Sequence, residues 1–164
     1  MKPPGTTDLL ERIRHDWHAA RPDLDPEAML TVIAVQRTAG HLQARLEAFF
    51  AARGLTPSAF DVLATLRRSA PAQGLTLGEL GALMAVTPPA VTKRVDALTA
   101  RGLVERLPDA VDRRAIRARL TAAGRQQVDA LLPQHLAHEE GLLSGLSRAE
   151  WQTLRTLLGR IDVG

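Results

Sequence analysis

A mainly helical chain carrying one short β-hairpin is the fold class that the sequence predicts, and three observations predict it. Apolar residues recur at helical spacing through most of the 164 residues. Two of the helical segments in the middle are separated only by Ala85-Val86 and the start signal Thr87-Pro88-Pro89. Just beyond the second, Ala115 to Leu120 alternates small or apolar residues with arginine, as a half-exposed strand does. Helix, turn, helix and basic hairpin in that order predict a winged helix-turn-helix set between helical flanks.

The elements follow from the N-terminus. Leu9, Leu10, Ile13, Trp17 and Ala20 share helical spacing from Asp8 to about Ala20, and Arg21-Pro22 ends that run. Asp25-Pro26 opens a second segment that closes at Arg53-Gly54. At 1.5 Å per residue it is roughly 40 Å long, more than one small domain can wrap, so part of its apolar surface is expected to meet another chain. Thr56-Pro57 starts a helix to about Arg68, and Pro71 to Gly74 forms a loop. The helix-turn-helix takes Thr76 to about Met84 and then Thr87, a hydroxyl N-cap, to about Ala100, with Arg101-Gly102 as the stop. Leu103 to Leu107 and Ala115 to Leu120 are the strands of the wing, and Pro108 to Arg114 its tip. Thr121 to Gly145 is a helix interrupted at Pro133, and the capping box Ser147-Arg148-Ala149-Glu150 begins a last helix through Ile161.

Composition limits the function classes. The absence of cysteine excludes disulfides, thiolate zinc sites and thiol redox switches. With no apolar run of about 18 residues and no apolar segment near Met1, a cytoplasmic protein without a membrane span is expected. From Thr87 to Leu120 there are eight basic residues against four acids, a local +4, whereas the whole chain carries only +3. Positive charge concentrated on one unit attracts phosphates through counterion release. Double-stranded DNA is the partner this predicts.

On the second helix of the pair, Val91, Val95 and Leu98 share one face and must point inward. Pro89, Thr92, Lys93 and Asp96 then point outward, and with Thr87 at the helix start they supply the candidate groove-facing residues Thr87, Pro89, Thr92 and Lys93. Arg113 and Arg114 at the hairpin tip are candidates for the minor groove or for phosphates, with Asp112 bracing an arginine inside the wing. Arg94 lies at the edge of the buried face, where a guanidinium wants a carboxylate or an anion. Asp61, within an otherwise mostly apolar helix, is its candidate partner.

The run from Leu75 to Gly124, with its wing pattern Asp109 to Arg114 followed by Leu120-Thr121, resembles the central signature of the MarR family of bacterial transcription regulators. The resemblance implies a homodimer, an all-α fold with one small β-hairpin, and small-molecule control of binding to a pseudo-palindromic operator. It also implies one domain over residues 1–164, in which 56–120 read DNA while 8–55 and 121–164 form a helical layer for dimerisation and ligand. The additional N-terminal helix with a tryptophan is similar to the urate-responsive subgroup. There the implied ligand residues are Trp17, Asp61, Arg94 and Arg106, with urate as effector and no other cofactor.

Urate is a flat purine, mostly a monoanion near neutral pH. Arg106 suits its anionic edge, Trp17 its ring face or the pocket wall, and displacement of an Asp61–Arg94 pair would release the DNA-reading helix. Other readings stay open: a MarR-type repressor answering another aromatic acid or phenol, a metal sensor using His135 and His138, or an architectural DNA-binding dimer without a ligand. An enzyme is not expected, because His135-x-x-His138 lacks metalloprotease spacing and there is no phosphate loop or activated nucleophile.

Overall fold

The structure is a computed structural model that describes residues 5–110, 112 and 114–161. It falls into two compact units, residues 1–48 and 49–164. In the first, helix α1 (Thr6–Ala20) precedes the long helix α2 (Glu27–Ala51), whose last turn belongs to the second unit. Arg14 on α1 binds Glu11 at 2.6 Å and Glu27, the first residue of α2, at 2.7 Å. Leu30 is buried, whereas Met29 and Val32 are 43% and 55% exposed, so α2 leaves apolar surface open.

The second unit holds α3 (Pro57–Ser69), β1 (Leu75–Thr76), α4 (Leu77–Met84), α5 (Pro88–Ala100), β2 (Val104–Pro108), β3 (Ile116–Leu120), α6 (Ala122–Leu142) and α7 (Arg148–Leu158). Its sheet is antiparallel in the order β1-β3-β2, with Val104 opposite Leu120 and Leu75 opposite Ala118. Val62, Leu63, Leu80, Val91, Val95 and Val128 are shut away from solvent, joining α3, α4, α5 and α6 in one core. Among the described residues no helix is long and apolar enough to cross a membrane.

Two glycines fix how the sheet meets its surroundings. A Cβ on Gly74, which has φ +86°, would lie 2.4 Å from the Ala118 carbonyl oxygen, so only glycine lets this loop press onto β3. A Cβ on Gly124 would lie 1.9 Å from the Leu103 carbonyl oxygen, which seats the first turn of α6 against the entry to β2.

Four sequence expectations need correction. The wing hairpin has a third partner, β1, too short to show an alternating pattern. Thr87 is the N-cap of α5 in extended backbone, but its hydroxyl makes no cap bond. Prolines at the first two helical positions remove amide hydrogens that a cap oxygen would accept. Pro133 does not interrupt α6, which runs unbroken to Leu142. Pro133 and Asp129, the residue whose carbonyl loses its amide partner, are both exposed, so water can serve that carbonyl. Finally α7 ends at Leu158 and not at Ile161, because Gly159 closes it with its N–H on the Arg155 carbonyl.

Candidate functional site

Helix α5 is placed by its buried face. Val91, Val95 and Leu98 are at most 1% exposed, so the opposite face must look outward. Thr87, Pro89 and Lys93 are exposed there, and Thr92 is half-buried with its hydroxyl donating to the Pro88 carbonyl at 3.1 Å. Lys93 therefore offers an exposed cation without an ion pair among the described residues, while Thr92 has to leave its own backbone to reach a base.

Each acid between Thr87 and Leu120 holds an arginine. Asp96 takes Arg106, Glu105 takes Arg119 at 2.9 Å, Asp109 takes Arg117, and Asp112 takes Arg114 at 3.3 Å. The last pair is the brace expected inside the wing. Four arginines are thus neutralised locally, and among the described residues Lys93, Arg94 and Arg101 form no ion pair. Arg114 remains 93% exposed despite its partner, so it stays accessible to a phosphate. Arg113 lies outside the described residues.

The expected Asp61–Arg94 pair is absent among the described residues. Arg94 is half-buried and lines a cavity of about 330 Å³ with Thr56, Ser58, Ala59, Ala90, Lys93 and Ala97. The cavity takes the first turn of α3, and Asp61, about one turn on from Ser58, is not among its lining residues. Two cations and no carboxylate line it, a charge balance suited to an anion. Arg106, on β2, is held by Asp96 of α5, which ties the hairpin directly to that helix. Trp17 lies on α1, in the first unit, with 38% of its surface exposed.

His135 and His138 pack into an aromatic cluster. The His138 ring stacks on Phe49 with centroids 4.6 Å apart, and His135 lies 5.0 Å from Phe50 and 4.9 Å from Phe60. His135 Nε2 faces Glu139 at 3.3 Å, and among the described residues no third group joins them to make a metal site. Burial lowers the His135 pKa from its ordinary value, opposed by Glu139 and assisted by His138.

Sequence reading missed the pairing of these acids with arginines, apart from the brace at Asp112. The sequence showed four acids interspersed among the arginines of this span, but which pairs form is a tertiary result.

A family model described as the MarR family matches residues 53–115, from the turn before α3 through the wing tip. The transcriptional regulator PecS of Dickeya dadantii is 31% identical over 150 residues, covering 92% of this chain and 90% of that protein. The chain belongs to the MarR family. Its structure resembles that of an Escherichia coli MarR mutant complexed with operator DNA, with a TM-score of 0.69 and 28% identity over 84% of this chain and 97% of that one. It is also similar to Bordetella bronchiseptica BpsR, whose DNA binding is regulated by 6-hydroxynicotinic acid, with a TM-score of 0.70 and 25% identity over 78% and 91% of the two chains. As a MarR-family member the protein is a DNA-binding transcriptional regulator and not an enzyme.

Proposed function

We propose that the protein is a dimeric, cytoplasmic repressor that leaves its operator when urate binds Arg94 and Arg106. The observation that carries this reading is the state of the two arginines. One lines a carboxylate-free cavity, and the other is held by a single carboxylate on the recognition helix. An anion that captures Arg106 frees Asp96, on the exposed face of α5, where its charge repels phosphates. Binding then acts through a differential interaction with two positions of the helix, which is the requirement for release. This replaces the Asp61–Arg94 exchange as the switching step. Asp61 and Trp17 are kept in the proposed site on the family resemblance.

DNA contacts are assigned to Thr87, Pro89, Thr92 and Lys93 in the major groove and to Arg113 and Arg114 from the wing. A second copy of the chain is proposed to cover the exposed apolar residues of α6 and α7, among them Leu136, Leu154 and Leu157. The regulation of BpsR by 6-hydroxynicotinic acid supports a second reading, in which another aromatic acid fills the same cation-lined cavity.

The test is calorimetric titration of the wild type with urate, xanthine and salicylate, repeated on Trp17→Phe and Arg106→Ala, with operator release followed in parallel. Selective urate binding that weakens in both variants supports the proposal. Uptake of salicylate without urate transfers it to the second reading. Full urate-driven release from an Arg106→Ala dimer would sink the switching step.

A further inference from the structure

We propose that Arg117 is a positioning residue that clamps the wing onto the first helix of the helix-turn-helix, so that operator affinity depends on a guanidinium spent inside the protein. The proposal rests on the reading that the wing touches DNA. Arg117 sits on β3, the central strand, with its side chain 20% exposed. Its Nε donates to the Asp109 carboxylate, its Nη1 donates to the Gly74 carbonyl at 2.9 Å, and the same Nη1 lies 3.6 Å from Glu79 Oε2. One side chain therefore joins three separate segments: the wing just past β2, the loop before β1, and the first turn of α4.

Each contact is itself anchored. Asp109 is 7% exposed, and its other oxygen accepts from the Asp112 amide at 2.8 Å, closing the wing turn. Glu79 completes the α4 capping box, accepting from the Thr76 amide at 2.7 Å and hydroxyl at 2.9 Å. Those bonds, with the charge of Arg117, hold Glu79 below its ordinary pKa and keep it anionic toward Arg117. Gly74 is pressed onto β3 by its missing Cβ. The two residues of β1 supply few ladder bonds of their own, so Arg117 carries much of the connection between the hairpin and α4.

Removing the guanidinium withdraws this cation from the buried Asp109 carboxylate and leaves the wing, the Gly74 loop and Glu79 without their shared partner, which loosens the wing on α4. The wing tip then samples many positions, and its phosphate contacts are lost although none of its arginines has changed. Helix α5 keeps its core packing on Val91, Val95 and Leu98 and still reads the major groove.

The chain has no cysteine, so Ala110→Cys at the exposed wing tip accepts a single nitroxide label. We would record the spectrum of the free labelled protein and hydroxyl-radical footprints of the unlabelled protein on a duplex selected from a random pool by the wild type. Wild type, Arg117→Met, Arg117→Lys and Glu79→Gln are compared, the last keeping a capping acceptor while removing the charge that faces Arg117. In Arg117→Met the nitroxide lines narrow, wing protection disappears, affinity falls about tenfold and the salt slope drops by about one, while major-groove protection persists. Arg117→Lys restores part of each.

A folded Arg117→Met protein with unchanged line shape and intact wing protection overturns the clamp. If that variant does not fold, Glu79→Gln decides by the same spectrum, narrowed lines upholding the clamp and unchanged lines overturning it. A wild type without wing protection overturns the contact reading instead, and the line shapes of the free proteins still decide the clamp.

Discussion

Helices α5 and α7 have similar lengths, thirteen and eleven residues, and both carry a stripe of branched apolar side chains. Three residues of α5 are buried by the chain itself and none of α7 is. On α7, Leu154, Leu157 and Leu158 are 39%, 51% and 43% exposed, and Trp151 is anchored through its indole N–H on the Leu143 carbonyl at 3.2 Å. The difference is one of completion. Helix α5 is met by α3, α4 and β2 of its own unit, so its placement is fixed before any partner arrives. Helix α7 is well capped by Ser147 and Glu150, yet its apolar face has no cover among the described residues. A cap decides where a helix begins, while burial decides what it is for.

The sharpest way to break this comparison is to truncate a leucine on each helix. Leu98→Ala removes a side chain that is 1% exposed and leaves a cavity, so unfolding in urea should show a loss of about 2–5 kcal/mol. Leu157→Ala, measured at protein concentrations where only monomer is present, should change stability by no more than about 0.5 kcal/mol. Equal losses at the two positions would mean that α7 is already packed within the monomer, and the contrast would collapse.

The next largest effect belongs to the pair Leu154→Asp and Leu157→Asp. Two carboxylates cannot be buried against a second copy without several kcal/mol of desolvation, so sedimentation should find a monomer with native helix content. Losing one half-site reader from a two-site operator should then weaken DNA binding by about a hundredfold. A doubly substituted protein that still sediments as a dimer would move the interface away from α7.

How much of this was legible beforehand differs by region for the same reason. Helical spacing marks an apolar stripe wherever it occurs, and it correctly put Val91, Val95 and Leu98 inward. Leu154 and Leu157 stand at the same helical spacing, but spacing carries no information on whether the covering surface belongs to the same chain. The strands of the wing were readable from alternation, while β1 was not, because two residues cannot alternate visibly. In the candidate site the sequence supplied the arginines and the acids but not their pairing. Asp61 looked like the natural partner for Arg94 because it is a carboxylate within an otherwise mostly apolar helix, yet it does not line the cavity that Arg94 lines. Arg106 meets Asp96 instead, ten residues away across the turn into β2. A salt bridge between elements depends on how two helices or strands are rotated, and residue type alone does not encode that rotation.

The smallest effect sharpens the comparison from the completed side, in the aromatic cluster at the end of α2. Burial lowers the His135 pKa below its ordinary 6.5, with Glu139 opposing the shift and His138 adding to it. The folded protein therefore prefers the neutral imidazole more strongly than the unfolded chain does. Above pH 6.5 both states are neutral and this contribution to stability is fully present. As the pH falls through 6.5, the unfolded chain takes up the proton first, and stability declines until the folded state also binds it. Glu79 and Glu150, both held below their ordinary 4.5 chiefly by capping bonds, lose their contributions only further into acid, so the two windows separate. Urea midpoints measured from about pH 7.5 to 5.5 should fall in the wild type and fall less in His135→Phe, which keeps the ring contacts with Phe50 and Phe60 but cannot take a proton. Identical slopes for the two proteins would show that the histidine titrates alike in both states, and the cluster would then be no drier than the open face of α7.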